Sequence, residues 1–300
     1  MSDTATEVRA GTPVRLGDRI FSRTAWAAAM LIMVALAGVA VFLLIEGLPG
    51  LSAPADIYRP ADSFWSYVGP LVFGTILAAV VALVIAVPFS IGVALFISHY
   101  APPRLAAPIA YVIDLLAAIP SVVYGLWGGL ALAGAMRPVI DWLYDNLGFI
   151  PFFAGPPSVT GRTMLTAGMV LAIMVIPITT AISREVFAQT PRLHEEAAMA
   201  LGATRWEVIR LAVFPYARSG VVSGVMLGLG RALGETMAVA MVLSATPIVT
   251  LNLISNSNPA TIASNIAANY KEATPDRQAL LIATGLVLFF VTFVVNSIAR

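Results

Sequence analysis

Two charged side chains, Arg231 and Glu235, interrupt a stretch that is otherwise apolar enough to cross a membrane. An arginine at the centre of a membrane span costs about 2.5–3.5 kcal/mol on insertion scales, so it faces protein or water rather than lipid. A guanidinium also offers planar, bidentate donors to an oxyanion. Because the two residues are four apart, one continuous helix would put them on one face and let them pair. The pair therefore predicts either a structural ion pair or a contact for a translocated anion.

A second group of charges lies in the loop at 188–216, between two apolar segments. The residues just before Gly202 predict a short helix that this glycine ends. Thr204 and Glu207 have the spacing of a capping box, so a second helix is predicted to begin there and to end before Pro215. The loop is thus predicted to be a helix-turn-helix at the membrane surface.

Small side chains mark the first helix of this loop, where Glu196 is followed by Ala197 and Ala198 and then, after three residues, by Gly202. Such a thin helix could enter a groove on a partner protein. An amphipathic surface segment without a partner is the alternative.

The composition excludes several classes of function. Of 300 residues, 59% are hydrophobic and 11% are charged, whereas soluble domains carry about 25% charged residues. The absence of cysteine excludes disulfides and thiol nucleophiles, and the two histidines, His99 and His194, lack metal-ligand spacing. The net charge of +1 argues against nucleic-acid binding. We predict no catalytic residue, no metal site and no cofactor bound by this chain.

Windows without charge predict six transmembrane helices, since about 20 apolar residues cross the hydrocarbon core. The first is longer than the apolar region of a signal peptide and is predicted to remain as an anchor. Prolines inside the predicted helices either kink them around a cavity or reflect the usual composition of membrane helices. The predicted helices are 24–47, 67–98, 108–135, 162–187, 217–245 and 278–299.

The distribution of Lys and Arg predicts the orientation. With Arg231 set aside, one set of loops and both termini carry 11 of the 17 basic residues and the other loops carry 5. Both termini and the loop at 188–216 are therefore predicted to be cytoplasmic. The outward loops are 48–66, 136–161 and 246–277, and the sequence leaves open whether 252–269 holds a short helix or a re-entrant piece.

The loop resembles the EAA loop of ABC-importer permeases, in which Glu-Ala-Ala is followed by glycine and then by Ile-x-Leu-Pro. This chain keeps the proline but has alanine and phenylalanine in place of the isoleucine and leucine. The resemblance implies that the loop, at 192–215, docks on a cytoplasmic ATPase. The coupling residues that it implies are Glu196, Ala197, Ala198, Gly202 and Pro215.

Two further segments, 115–128 and 228–239, resemble a membrane subunit of the phosphate ABC importer. The resemblance covers roughly residues 65–300 and implies an all-α membrane protein with a type I importer permease-like (MetI-like) core. We expect a cytoplasmic tail at 1–23, an extra helix and outward loop at 24–66, and a five-helix core at 67–300. In that family the residues corresponding to Arg231 and Glu235 are associated with phosphate passage.

The same resemblance implies partners in the cytoplasmic (inner) membrane. These are two copies of an ATPase, which use the ATP, a second related permease subunit, an external phosphate-binding protein and the lipid bilayer. The sequence has no GxxxxGK[ST] motif, so the ATPase must be a separate chain. Three alternatives remain open: an ABC permease for sulfate or molybdate, an ion-coupled secondary anion transporter, and a non-transporting scaffold or sensor.

Overall fold

The computed structural model describes residues 16–298, so most of the predicted tail, at 1–15, lies outside the described residues. The chain forms helices joined by mostly short loops, with one pair of two-residue strands, β1 (Ala245–Thr246) and β2 (Asn258–Pro259). The helices are α1 Leu16–Leu51, α2 Phe64–Tyr100, α3 Pro103–Ala117, α4 Ser121–Leu147, α5 Met164–Ala188, α6 Arg192–Ala200, α7 Arg205–Gly234, α8 Met237–Val242, α9 Ile262–Asn269 and α10 Pro275–Ile298.

Six of these helices are long and apolar enough to cross a membrane, namely α1, α2, α4, α5, α7 and α10. The prediction of an all-α membrane protein with six spans is confirmed, and the chain is a multi-pass membrane protein. Two of the predicted spans, however, have the wrong boundaries, and both errors come from breaks in the helical backbone.

The predicted third span, 108–135, is two helices in the structure. α3 ends at Ala117, and α4 begins at Ser121 and continues to Leu147, into the loop predicted at 136–161. Pro120 causes the break, because it has no N–H to donate and it disfavours the helical conformation of the residue before it. The hydroxyl of Tyr124 donates to the Leu116 carbonyl across the break, at 2.9 Å.

The predicted fifth span, 217–245, begins earlier and ends earlier in the structure. α7 runs without interruption from Arg205 to Gly234, so the prediction that a short helix ends before Pro215 is wrong. A π-helical turn at Ile209–Val213 precedes this proline, and the Phe214 N–H donates to the Ile209 carbonyl. The wider turn lets the helix pass a residue that cannot donate its own N–H.

A row of glycines on α7 packs against α5. A Cβ placed on Gly220 would lie 2.5 Å from Val186, one on Gly224 would lie 3.0 Å from Ile182, and one on Gly228 would lie 2.7 Å from Val175. Real Cβ atoms essentially never come closer than 3.0 Å, so Gly220 and Gly228 must be glycine for the two helices to pack this closely, and Gly224 has almost no room for a Cβ. Glycines spaced four residues apart form the kind of small-residue face that lets two membrane helices pack closely.

α1 packs along α10 on the outside of the bundle. The Cα atoms of Gly47 and Gly50 lie so close to the backbone of α10 that a Cβ would come within 3.2 Å and 2.5 Å of it. Most other side chains of α1 are exposed, as expected of a helix that faces lipid on its remaining sides.

The segment between α8 and α9 is largely exposed over 245–251 and becomes buried around Asn258. This side chain is fully buried, and its Oδ1 accepts from the Met164 N–H at the start of α5, at 3.0 Å. Its Nδ2 donates to the Ser255 carbonyl at 2.9 Å and to the Ser244 carbonyl at 3.3 Å. The question left open for 252–269 is thereby answered, because a buried segment leads into the short helix α9.

Replacing Asn258 by alanine should destabilise the protein strongly. The change leaves one buried N–H and two carbonyls without this partner, and each unsatisfied buried group costs about 1–3 kcal/mol. We expect a loss of roughly 2–5 kcal/mol, seen as a lower midpoint of thermal unfolding in detergent. Asn269→Ala is the control, since that amide is exposed and bonds only within α9. Equal melting of the two variants would contradict the role assigned to Asn258.

Candidate functional site

The first helix of the EAA loop, α6, ends at Gly202 as predicted. This glycine has φ +86°, a left-handed conformation that residues with a Cβ rarely adopt. Its N–H donates to the Met199 carbonyl at 2.9 Å, and the Ala203 N–H donates to the Ala198 carbonyl at 3.1 Å. These two bonds form a Schellman motif, which satisfies the last carbonyls of the helix and sets the angle at which the chain leaves it.

The capping box predicted at the start of α7 is also present. Thr204 Oγ1 accepts from the Glu207 N–H at 3.4 Å, while Glu207 Oε2 accepts from the Thr204 N–H at 2.7 Å. The turn between α6 and α7 is therefore held by a glycine at one end and a capping box at the other.

The EAA loop presents an exposed surface. Glu196 and Ala197 are exposed, and Ala198 is half-buried. Two large apolar side chains beside them, Leu193 and Leu201, are 73% and 90% exposed. The loop therefore presents both charged and apolar side chains to its surroundings.

Contacts that no sequence spacing could indicate join this loop to the ends of other helices. His99, near the end of α2, places Nε2 3.9 Å from Oε1 of Glu195 on α6. The ring of Phe187, at the end of α5, lies edge-on to His99 at 6.4 Å and to Phe214 on α7 at 5.7 Å. The EAA loop thus contacts α2 and α5, and its second half, which contains Pro215, is the first part of α7.

Arg231 lines an open cleft of about 560 Å³ between α5, α7 and α10, together with Ser223 and Asn296. Its Nε is buried and has no hydrogen-bond partner. In the part of the chain that the structure describes, no carboxylate lies within 4.0 Å of its guanidinium. The cation is therefore available to a group that enters the cleft.

Glu235 does not pair with Arg231, so the structural ion pair is wrong for the described residues. α7 ends at Gly234 and Glu235 has an extended backbone, which removes the shared helix face that four-residue spacing requires. Its side chain is 9% exposed, and Oε1 accepts from the Ala238 N–H at 3.2 Å. Glu235 therefore caps the start of α8 at a break in the helix beside Arg231.

The two helix breaks contact each other through the segments that follow them. A Cβ on Gly125 of α4 would lie 2.8 Å from the Ala238 Cα of α8, and one on Gly128 would lie 2.9 Å from Val242. Segments 115–128 and 228–239, which are distant in sequence, thus form one contact. Within a membrane protein, non-helical backbone is tolerated where it is buried in protein or lines a water-filled cavity.

One face of α7 has no partner among the described residues. Ser223, Leu227, Gly230 and Gly234 are exposed along it, next to the row of glycines that packs against α5. This face includes the positions next to Arg231, so the cleft opens where another protein chain could cover it.

Comparisons with known proteins agree with this architecture. The family model described as binding-protein-dependent transport system inner membrane component matches residues 86–300. The chain is 45% identical over 300 residues to the phosphate transport system permease protein PstC 2 of Mycobacterium tuberculosis, covering 96% of this chain and 92% of that protein. It is 39% identical over 297 residues to the phosphate transport system permease protein PstC of Mesorhizobium japonicum, covering 95% and 89%.

Among solved structures, a bacterial ABC transporter involved in the import of the acidic polysaccharide alginate matches with a TM-score of 0.57 at 15% identity, covering 94% of this chain and 98% of that chain. This likeness concerns the fold alone, and together with the family match it confirms the predicted fold class. The domain boundaries at 1–23, 24–66 and 67–300 stay a prediction. The chain belongs to the binding-protein-dependent transport system inner membrane components, and within that family to the PstC permeases.

Proposed function

We propose that this chain is the PstC-type membrane subunit of an ATP-driven importer of inorganic phosphate. The observation that carries the proposal is the identity of 39–45% over nearly the whole chain with proteins named phosphate transport system permeases. The cleft at Arg231 supports it, because an unpaired guanidinium suits an oxyanion.

Arg231 is the proposed contact for the anion within the membrane. A cation without an acidic partner attracts a phosphate more strongly than one that is already neutralised, because the low-dielectric surroundings strengthen the attraction. Glu235 supports the path in a different way from that predicted, since its carboxylate holds the break between α7 and α8 through Ala238. The exposed face of α7 would be covered by a second permease subunit similar to PstA.

The EAA loop is the proposed docking site for a cytoplasmic ATPase, of which two copies would serve the two permease subunits. Glu196, Ala197 and Ala198 lie on the exposed helix, Gly202 sets the turn, and Pro215 lies in α7 beyond the π-helical turn. A movement of α6 would reach α2 through His99 and α5 through Phe187. This coupling would rock the long helices as rigid bodies and open the path alternately to each side.

The proposed orientation follows from the basic residues of the loops, with the termini and the EAA loop on the cytoplasmic side of the inner membrane. An extracytoplasmic phosphate-binding protein would then deliver the anion at the opposite end of the bundle. ATP is used by the partner ATPase, and we propose no cofactor for this chain.

Uptake in a strain that lacks its own phosphate permeases tests the substrate. Expression of this chain with its partner subunits should restore uptake of radiolabelled phosphate, and excess unlabelled sulfate should not compete. Restoration of sulfate uptake instead would contradict the proposal. Purification of the chain together with a nucleotide-binding subunit separates this function from that of a secondary transporter, which requires no ATPase.

His99→Ala should weaken the coupling of ATP hydrolysis to transport. At 3.9 Å the contact with Glu195 is an ion pair when His99 is protonated, and such pairs are worth about 0.2–1 kcal/mol, so phosphate moved per ATP should fall by up to about fivefold. Purified transporter in proteoliposomes gives both rates. The Glu195→Gln variant should show a similar loss, and the double variant should lose little more, because both changes remove the same contact. Fully additive losses would contradict a direct contact.

A further inference from the structure

A cavity of about 420 Å³ lies at the other end of α2 from the EAA loop. Tyr67 in the first turn of α2 lines it, whereas His99 at the far end contacts the loop, and the rise of a helix places them roughly 50 Å apart. In the proposed orientation this cavity faces outward. Its polar lining includes Arg59, Asp62, Tyr67, Asn265, Asn269 and Arg277.

Two arginines reach this cavity from separate parts of the chain. Arg59 follows a 3₁₀ turn at Ala55–Tyr58, and Arg277 lies in the first turn of α10. Within residues 16–298, neither guanidinium lies within 4.0 Å of a carboxylate. Asp62 is the acidic residue in the lining, so the cavity carries a net positive charge of one.

The hydroxyl of Tyr67 lines the same cavity and can donate a hydrogen bond. Asn265 Nδ2 donates to the Tyr67 phenol oxygen at 3.0 Å, and Asn269 Nδ2 donates to Asn265 Oδ1 at 3.1 Å. Asn269 thus donates twice within the protein, and Asn265 uses one of its two N–H groups on Tyr67. The Tyr67 oxygen already accepts a hydrogen bond, and its own O–H donates to no other described residue, so that proton is available to a ligand.

We propose that this cavity is an outward binding site for inorganic phosphate, held by Arg59, Arg277 and the hydroxyl of Tyr67. The inference rests on the proposed function and extends it, since it adds a second anion site to that at Arg231. Two guanidinium groups and one hydroxyl are donors that match the oxygens of a tetrahedral oxyanion. Both arginines are exposed, so binding is weak enough for the anion to move on towards the membrane.

The site is tested by binding of inorganic phosphate to the whole transporter in nanodiscs, without ATP and without the binding protein. Broadening of the phosphorus NMR line reports the dissociation constant, and a background of Arg231→Gln removes the contribution of the membrane cleft. Arg59→Gln with Arg277→Gln should raise the dissociation constant about tenfold or more, because two charge-assisted hydrogen-bonding groups are lost. Tyr67→Phe should raise it about threefold, the effect of one neutral donor.

Lys271→Gln is the matched control, because this lysine lies in the same outward segment but does not line the cavity. An unchanged dissociation constant in the double arginine variant overturns the proposal, and so does an equal loss in the lysine control. Co-purification with the ATPase verifies that each variant is assembled. Phosphate uptake is measured separately, to distinguish failure of this site from failure of the proposed function. If the wild-type transporter imports phosphate but the double arginine variant binds it normally, only the proposed outward site is wrong. If the wild-type transporter imports no phosphate, the proposed function is wrong.

Discussion

Arg231→Gln should lower phosphate uptake roughly 10- to 150-fold without preventing assembly. The estimate corresponds to about 1.5–3 kcal/mol for hydrogen bonds from a charged group to an anion. Arg231 lines the open cleft and has no acidic partner within the described residues, so its removal leaves no buried carboxylate unpaired. The loss should therefore appear in transport and not in folding. Initial rates of radiolabelled phosphate uptake give the measurement, and co-purification of the ATPase shows assembly.

Two matched variants separate charge from position in this experiment. Arg218→Gln removes an exposed arginine from the same helix, near its EAA-loop end, and should leave uptake within about twofold of wild type, as for most surface substitutions. Arg231→Lys keeps the charge but loses the bidentate geometry, so it should restore part of the uptake. Full uptake by Arg231→Gln would show that the cation is not on the path of the anion.

Gly202→Val should disconnect the permease from its ATPase. The backbone at Gly202 has φ +86°, and an L-residue in the left-handed region costs roughly 1–2 kcal/mol, with β-branched residues the least tolerant. No atom lies within 4 Å of the position that a Cβ would occupy, so the effect comes from the backbone and not from a clash. This free-energy cost falls on the turn between α6 and α7, and it should reduce the rate of phosphate uptake roughly five- to thirtyfold.

The control for this variant is Gly202→Asn, because asparagine tolerates the left-handed conformation far better than valine. It should retain most of the uptake and of the bound ATPase. Glu196→Lys tests the exposed face of the same helix independently, since it reverses a charge without touching the turn. If both Gly202→Val and Glu196→Lys kept full uptake and full ATPase content, the docking role of the EAA loop would be wrong.

The features that sequence predicted correctly depend on short-range interactions. Gly202 ends α6, and Thr204 caps α7 with Glu207, because each motif uses only residues within one turn of the helix. Apolar length predicted the spans for a related reason, since the membrane requires about 20 apolar residues whatever their order.

The errors arose where one local pattern competed with another. Four-residue spacing predicted that Arg231 and Glu235 share a helix face, but α7 ends between them and Glu235 caps α8 instead. Pro215 predicted a helix end, but a π-helical turn lets α7 continue past it. In both cases the packing of surrounding helices decides whether a break forms, and spacing along the chain does not contain that information.

By itself the sequence determined the class of protein, the number of spans and the local geometry of the EAA loop, because hydropathy is summed along a single span of about 20 residues and capping acts within one helical turn. Tertiary structure alone decided which distant residues meet. It placed His99 beside Glu195, brought Gly125 against Ala238, and left Arg231 unpaired in a cleft among the described residues. These contacts join residues separated by roughly a hundred positions or place a charge at a helix break, and only the packed arrangement of the helices specifies them.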